Sequence, residues 1–429
     1  MTEQASDSQG LVPKLRFPEF RGRGAWLAKP LGQLCTPISE KAGNAKLTPV
    51  SITAGKGFVS QASKFGRDIS GDQYRNYTYL RKGDFAYNKG NSTAFPQGYV
   101  CQLTEFDEAA ASSAFLCFRL NDEYQPRFLQ ALFDQNVHGR QLASFITSGA
   151  RSNGLLNIRS DDFYAVKMPC PPENAEQRKI ADCLSSLDTL IAAETEKLTA
   201  LRDHKKGLMH QLFPAEGETT PRLRFPEFQD AGEWVISSLE TLVSLQSGST
   251  PDKSNPLFWN GSIPWASAKD MKQLFLDDTQ DHISLAAVNV GARLVPADSL
   301  LILTRGMTLL KDVPICVLRR EMACNQDVKA LVPRTGVNGL FLAFALLASK
   351  RRLLEMVVIA GHGTGKLNTD ELEAIELALP RAAEQQRIVD LLTWLDKLLA
   401  SQSARVKHLK SHKNGLMEQL FPSVAGAVA

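Results

Sequence analysis

The sequence predicts a mixed α+β protein in which two globular domains are joined by two long antiparallel coiled-coil helices. Three observations predict this fold class. Two apolar stripes with alternating three- and four-residue spacing occur in the chain, and blocks at the borders of the globular regions recur at a constant offset of 208 residues. The stretches between those blocks combine short β-rich runs with helical patches. The constant offset further predicts a tandem duplication with pseudo-two-fold symmetry.

The two stripes carry the prediction of helix pairing. Their apolar positions are Ile180, Leu184, Leu187, Ile191, Leu198 and Leu201 in the first copy, and Ile388, Leu392, Leu395, Leu399, Val406 and Leu409 in the second. The first stripe is interrupted by Glu194 and Lys205, and the second by Gln402 and Lys413 at the same offset. A polar residue at a seam position typically fixes the register between paired helices. We therefore expect the helices, each roughly 60 Å long, to pair with each other and run antiparallel.

The repeated blocks define the organisation of the chain. Residues 13–20 match 221–228 at seven of eight positions, and residues 175–188 match 383–396 at eight of fourteen. The sequences between the blocks do not match, although their lengths are nearly equal. The predicted segments are an N-terminal lead and border (1–20), a first globular domain (21–172), a first long helix (173–214), a linker and second border (215–228), a second globular domain (229–380), a second long helix (381–422) and a C-terminal tail (423–429).

Composition excludes several classes of protein. The net charge is only +3, so a preference for nucleic acid has to come from local basic patches. Seven cysteines are scattered without metal-ligand spacing, which is typical of buried thiols in a reducing compartment. No apolar run is long enough to span a bilayer, and the N-terminus lacks a basic-then-apolar signal pattern. These features predict a cytoplasmic protein that does not contact a membrane.

The chain lacks the motifs of common catalytic sites. The stretch from Gly363 to Lys366 resembles a phosphate-binding loop, but Leu367 stands where that loop needs a serine or threonine to bind magnesium. There is no Asn-Pro-Pro-aromatic loop for a flipped adenine and no GxGxxG motif after a strand. The histidines form no metal-binding pair with an acidic partner. We therefore expect no catalytic, cofactor-binding or metal-binding residue in this chain.

Local patches of basic, polar and aromatic residues are the side chains that contact phosphates and base edges in DNA. Taken alone, each patch is equally consistent with an ordinary loop-rich surface. The DNA-binding candidates in the first domain are Lys56, Lys64, Arg67, Arg75, Tyr77, Arg81, Asn88, Lys89, Asn91, Ser92, Arg151 and Asn153. Those in the second domain are Lys253, Asn260, Lys269, Arg305, Lys311, His362, Thr364 and Lys366.

A family resemblance rests on the repeated blocks. These are Leu-Arg-Phe-Pro-Glu-Phe at 15–20 and 223–228, Ala-Glu-Gln at the start of each long helix, and Gly-Leu-Met-x-Gln-Leu-Phe-Pro at 207–214 and 415–422. In these blocks the chain resembles the specificity (S) subunit of type I restriction–modification systems. The resemblance implies two target-recognition domains, each reading one half of a bipartite double-stranded DNA sequence. It also implies that the helices act as a spacer and as the docking site for two methyltransferase (M) subunits.

In this family, restriction (R) subunits join that core. The resemblance implies that S-adenosylmethionine, ATP and magnesium belong to those partner subunits and that this chain holds no cofactor. Two different domains on one frame would read an asymmetric target, and the gap between its halves would be fixed by geometry. The alternative function is a coiled-coil protein–protein scaffold that does not bind DNA. Salt-dependent DNA binding would separate these two functions.

Overall fold

The computed structural model describes residues 10–90, 95–146, 156–361 and 363–424. The chain forms two compact units. Unit 1 comprises Met1–Thr195 together with Ala404–Ala429, and unit 2 comprises Glu196–Ser403. Both long helices cross the boundary between the units, so each unit contains the beginning of one helix and the end of the other. Among the described helices, none combines the length and apolar character that a bilayer crossing requires.

The described part of unit 1 is built from ten strands, five short α-helices and parts of both long helices. Its strands are β1 (Leu27–Pro30), β2 (Cys35–Pro37), β3 (Thr48–Thr53), β4 (Gly57–Ser60), β5 (Thr78–Arg81), β6 (Phe85–Asn88), β7 (Tyr99–Gln102), β8 (Glu108–Ala111), β9 (Leu116–Leu120) and β10 (Lys167–Cys170). The helices that begin in it are α1 (Leu31–Leu34), α2 (Gln61–Phe65), α3 (Pro126–Asp134), α4 (Val137–Leu142), α5 (Ser160–Tyr164) and the long α6 (Asn174–Leu212).

Unit 2 has a similar series of elements. Its strands are β11 (Val235–Ser238), β12 (Val243–Ser247), β13 (Ile263–Ala266), β14 (Phe275–Leu276), β15 (Asp281–Ile283), β16 (Leu294–Val295), β17 (Leu300–Leu303), β18 (Arg305–Gly306), β19 (Ile315–Leu318), β20 (Met322–Cys324), β21 (Val328–Pro333), β22 (Val358–Ile359), β23 (Gly365–Lys366) and β24 (Glu376–Leu379). Its helices are α7 (Leu239–Leu242), α8 (Leu285–Asn289), α9 (Gly339–Ala348), α10 (Lys350–Glu355), α11 (Thr369–Glu373) and the long α12 (Ala382–Leu420).

The two units share one sheet topology. One sheet has the strand order β2-β9-β6-β7 in unit 1 and β12-β21-β17-β19-β14 in unit 2, where β14 is an added edge strand. The other sheet is β4-β3-β8-β5 in unit 1 and β15-β13-β20-β16 in unit 2, and each contains one parallel pair, β3–β8 or β13–β20. The domains thus have the same connectivity although their sequences do not match. The predicted α+β class is confirmed.

The cores explain why these short segments form strands. All four residues of β17 are fully buried, as expected for a strand that is covered on both faces. In unit 1, Phe85 of β6 stacks on Phe118 of β9 with ring centroids 5.3 Å apart. Trp26 in unit 1 and Trp234 in unit 2 occupy corresponding places in the repeat. Trp26 packs against Phe421, which follows α12, and Trp234 packs against Phe213, which follows α6.

The long helices pair antiparallel, as predicted. In unit 1, Asp188 near the beginning of α6 accepts a hydrogen bond from Lys413 near the end of α12, at 2.5 Å. In unit 2, Lys205 near the end of α6 donates to Asp396 near the beginning of α12, also at 2.5 Å. Because rising residue numbers in one helix meet falling numbers in the other, these contacts define an antiparallel pair.

Burial along the predicted seam is uneven. Ile180, Leu184, Leu198, Ile388, Leu392, Leu395 and Val406 are buried, whereas Leu187, Ile191, Leu201, Leu399 and Leu409 are half-buried. The buried residues at the helix beginnings belong to the domain cores, where Ile180 and Leu184 join Trp26 and Phe128. The seam is therefore a coiled coil only in its middle part. Two helices without further cover leave their seam partly open to solvent, which explains the half-buried positions.

Candidate functional site

A buried carboxylate ties each sequence border to the beginning of a long helix. In unit 1, the guanidinium of Arg16 donates two hydrogen bonds to Glu176, at 2.8 and 2.7 Å, and Trp26 Nε1 donates a third at 3.2 Å. Glu176 is only 1% exposed. The hydrogen bonds to this carboxylate raise the pKa of Arg16 above its ordinary value. A bidentate arginine–carboxylate pair of this kind fixes the relative orientation of the two side chains as well as their distance.

We call the contact set of Arg16, Trp26 and Glu176 the clamp of unit 1. The equivalent clamp is present in unit 2 at the 208-residue offset. Arg224 donates to Glu384 at 2.7 and 2.8 Å, and Trp234 Nε1 donates to the same carboxylate at 3.3 Å. The border tryptophan, the arginine of the Leu-Arg-Phe-Pro-Glu-Phe block and the glutamate of Ala-Glu-Gln thus form one contact set. This contact set explains why these three blocks recur together.

The glutamine after each clamp glutamate holds a domain helix. Gln177 Oε1 accepts a hydrogen bond from the backbone N–H of Gln125, which precedes α3, at 3.3 Å. Gln385 Oε1 accepts from the backbone N–H of Asn338, which precedes α9, at 3.0 Å. Each long helix is therefore joined rigidly to the domain in front of it. Such a joint can hold a domain at a defined angle to its helix.

The charged breaks in the stripes have partners on the facing helix. Lys205 and Lys413 form the ion pairs with Asp396 and Asp188, and Glu194 pairs with Arg405 at 2.8 Å. Asp188 also contacts Arg127 of α3. The breaks are evident in the sequence, but their acidic partners are not. Asp188 and Asp396 are related by the repeat offset, and their recurrence in both copies was the one sign in the sequence that they pair with the lysines.

Several candidates in unit 1 are held by internal contacts. Tyr77 is buried, and its hydroxyl accepts a hydrogen bond from Gln61, so its prediction as a surface contact is corrected to a core role. Lys64 donates to Ser51 and to the carbonyl of Ile52, and burial lowers the pKa of Lys64.

Three other candidates on or next to the strands of unit 1 are also engaged. Arg81 forms an ion pair with Glu40 at 2.9 Å. Asn88 Oδ1 accepts from the backbone N–H of Gly90, and Lys89 donates to the carbonyl of Ile158. Lys56, Arg67 and Arg75 remain as exposed basic groups.

The candidates in unit 2 fall into two groups. The exposed Lys253 and Asn260 lie near Trp259, which packs edge-on against the buried Trp265 at 4.9 Å. Lys269, close to them in sequence, pairs with Asp281.

The second group surrounds a small three-stranded sheet of the order β18-β23-β22. Arg305 lies on β18 and Lys366 on β23, while Thr364 immediately precedes β23 and Lys311 follows the short 3-10 helix Met307–Leu310. The candidates Asn91, Ser92, Arg151, Asn153 and His362 lie outside the described residues.

Comparison with known proteins places this arrangement in a family. The family model for the type I restriction modification DNA specificity domain matches residues 38–202 and 231–410, the larger part of the chain. The chain belongs to this family. The two matched segments correspond to the two domains with most of their following helices. The comparisons give no support to the scaffold alternative.

Curated relatives of the chain are type I specificity subunits. The chain is 29% identical to the EcoR124I/EcoR124II specificity subunit of Escherichia coli over 243 residues, which covers 55% of this chain and 56% of that protein. It is 22% identical to the MjaVIII specificity subunit of Methanocaldococcus jannaschii over 304 residues, covering 65% and 66%. The chain thus spans just over half the length of the first of these relatives.

Solved structures share the fold of this family member. The type I restriction–modification S subunit from M. genitalium aligns with a TM-score of 0.56 at 15% identity, covering 96% of this chain and 99% of that one. A structure from work on complex assembly and conformational transition of a type I system aligns with a TM-score of 0.59 at 18% identity, covering 92% and 97%. These similarities support the two-domain, two-helix fold.

Proposed function

We propose that this chain is the DNA specificity subunit of a type I restriction–modification complex. Each domain reads one half of an asymmetric, bipartite double-stranded DNA target, and the paired helices set the unread gap. The observation that carries the proposal is the combination of one topology with two unrelated sequences. Two domains with the same sheets but different surface residues suit two readers of different half-sites on one frame.

The clamps support the spacer role of the helices. The helices can set the distance between the half-sites only if each domain keeps a fixed orientation on its helix. The hydrogen bonds of Glu176 and Glu384 join the long helix to the sequence border in each unit. In this proposal the surface of the helix pair docks two methyltransferase subunits, and restriction subunits join that core. The assembly acts in the cytoplasm, where its DNA target lies.

The chain itself is proposed to be non-catalytic. S-adenosylmethionine, ATP and magnesium are assigned to the partner subunits, because methyl transfer and ATP-driven steps need binding motifs that this sequence lacks. Its contribution is then sequence recognition through base and phosphate contacts.

Mapping methylated adenines in cells that express the chain with its methyltransferase subunits tests the proposal. The expected result is one asymmetric motif of two short sequences separated by a fixed unread gap. Replacing residues 32–170 with the corresponding domain of a relative should change one half of the motif and leave the other unchanged. A palindromic motif, or the loss of both halves in the exchange, would contradict the proposal.

A further inference from the structure

The small sheet β18-β23-β22 in unit 2, with the 3-10 helix Met307–Leu310, has an unusual surface. Four large apolar side chains are exposed there: Met307 at 63%, Leu310 at 41%, Val358 at 46% and Ile359 at 73%. Single exposed apolar residues are normal on protein surfaces, but a cluster in so small an element indicates a contact surface. We call residues 305–311, 358–359 and 365–366 the ribbon.

The ribbon also carries positive charge that no described residue neutralises. Arg305 lies directly opposite Lys366 across the β18–β23 pair, and like charges in this position destabilise a sheet. Neither of these side chains, nor the exposed Lys311, forms an ion pair with any residue in the described part of the chain. Val358 faces Lys366 from the other neighbouring strand. Arg305, Lys366 and Val358 therefore form one row across the sheet, with two cationic side chains followed by an apolar one.

The backbone of the ribbon is tightly fixed. A side chain at Gly365 would come within 2.7 Å of Leu309 Cβ and 3.1 Å of Val357 Cγ1, so only glycine fits there. Gly306, its partner on β18, has a φ of +145°, which also favours glycine. Leu309 is buried against Gly365, while its neighbours Met307 and Leu310 remain exposed. The apolar and basic side chains are thus displayed on a rigid support.

We propose that the ribbon enters the major groove of DNA and reads thymine through its C5-methyl group. This inference rests on the proposed function. The major groove admits a two-stranded β-ribbon, and apolar side chains recognise thymine there. Arg305, Lys311 and Lys366 contact the flanking phosphates, while Val358, which shares the sheet face of Arg305 and Lys366, contacts a thymine methyl group. The half-site read by unit 2 therefore contains at least one A·T pair.

The test uses the full chain in complex with its methyltransferase subunits. The probes are a duplex that carries the motif found by methylation mapping and a matched duplex with deoxyuridine for every thymine in the half-site of unit 2. Uracil lacks only the methyl group. Burying one methyl group contributes about 0.8 kcal/mol, so the wild-type complex should bind the uracil duplex about fourfold more weakly for each contacted thymine.

The variant Val358→Ala removes the reading side chain. It should weaken binding to the thymine duplex, and the difference between thymine and uracil duplexes should shrink correspondingly. Ile359→Ala changes the neighbouring side chain on the opposite face of the same strand and should leave that difference unchanged. Val235→Ala, with a side chain that is 67% exposed in the same unit but outside the ribbon, is the matched control and should behave as wild type. Arg305→Ala and Lys366→Ala should weaken binding to all duplexes similarly and lower the salt slope by about 1.

Two results would overturn the inference while leaving the proposed function intact. These are an unchanged thymine-to-uracil ratio in Val358→Ala, or variants that lose only assembly with the methyltransferase. The last result would make the ribbon a protein-docking surface. If the wild-type complex binds no duplex in a sequence-dependent manner, the proposed function itself fails, and this inference fails with it.

Discussion

Lys205 of α6 donates a hydrogen bond to Asp396 of α12 at 2.5 Å, across 191 positions of sequence. The side chains are 15% and 27% exposed, so this ion pair is largely shielded from solvent. Lys205 also lies over the ring of Phe344 in α9, with Nζ 5.3 Å from the ring centroid. The pair thus links the two long helices to the domain of unit 2 and fixes one register between them.

Reversing this ion pair should reveal its role in register. Asp396→Lys places two lysines together and should lower the free energy of unfolding by about 2 kcal/mol, between the values for exposed and buried pairs. Adding Lys205→Asp to the same chain should recover most of that loss. Urea unfolding of both single variants and of the double variant gives the coupling. Purely additive single effects would mean that the pair does not fix the register.

The clamp in unit 2 should contribute more than any surface ion pair. Glu384→Gln leaves the guanidinium of Arg224, only 10% exposed, without its counter-charge, so we expect a loss of about 3–5 kcal/mol. Glu227→Gln is the matched control in the same border, because its pair with Arg387 is about half exposed and should contribute less than ~1 kcal/mol. Thermal unfolding distinguishes these values, and equal shifts for both variants would contradict the clamp.

Equivalent positions in the stripes should respond unequally to a buried charge. Leu395 is 3% exposed and belongs to the core of unit 2, whereas Leu187, its counterpart at the repeat offset, is half-buried. Leu395→Asp should therefore cost more than about 4 kcal/mol, while a partly hydrated aspartate at 187 should cost clearly less. Equal losses in urea unfolding would show that position 187 is as well enclosed as position 395.

His138 should make unit 1 sensitive to acid. It lies between Tyr87 and Phe133, and burial lowers the pKa of His138 to about 4 from its ordinary value of 6.5. The unfolded chain binds a proton near pH 6.5 and the folded chain only near pH 4, so stability falls as the pH drops through this window. The expected loss is about 3 kcal/mol by pH 4.

Thermal unfolding between pH 7 and pH 4 checks this expectation. His138→Leu should flatten the pH dependence, since the buried titratable group is gone. His204→Leu, at an exposed position on α6, is the control and should leave the dependence unchanged. A wild-type slope that persists in His138→Leu would assign the acid sensitivity to other groups.

The sequence predicted the two long helices better than the strand order of the domains. Helix length and direction were readable because the apolar stripes and their polar breaks occur twice. The clamp could have been inferred as well, since Arg16, Trp26 and Glu176 all recur at one offset, but a contact across 160 residues has no local pattern. The shared strand order was not readable, because the two domains have unrelated sequences and strand pairing depends on contacts between distant segments.

The candidate DNA contacts were the least predictable part. A basic residue in a loop looks available in the sequence, yet Lys64 and Arg81 are engaged by groups from other strands or loops. Tyr77 looked like a polar surface aromatic because its burial depends on the neighbouring sheet. Conversely, Val358 and Ile359 were not among the candidates, and only the fold places them on an exposed edge. Availability to a ligand is a tertiary property.

Lengthening both helices together should widen the unread gap in the DNA target. Four residues inserted after Ala200 and four after Ser401 add about 6 Å to each helix, or one to two base pairs at ~3.4 Å per step. Ser401 is as far from Asp396 as Ala200 is from Lys205, so both ion pairs can still form. Methylation mapping should show both half-sites unchanged and a longer gap. An unchanged gap would mean that the helices do not set it.

The insertion in α6 alone is the control for this experiment. With α6 lengthened and α12 unchanged, either the Lys205–Asp396 pair or the Lys413–Asp188 pair can form, but not both. The single insertion should therefore destabilise the protein instead of producing a new gap. A single insertion that lengthens the gap without loss of stability would contradict the matched register.

Asp188 and Lys205 lie in the first repeat, and Asp396 and Lys413 lie in the second, with the same separation. Each copy of the repeat therefore contributes one acid and one base, and the acid of one copy meets the base of the other. A surface with this property is its own complement, as in an isologous homodimer. The two repeats of the single chain thus pair as two identical subunits would, while the sequences of the two domains can differ. Any length change that becomes fixed in one copy must be mirrored in the other.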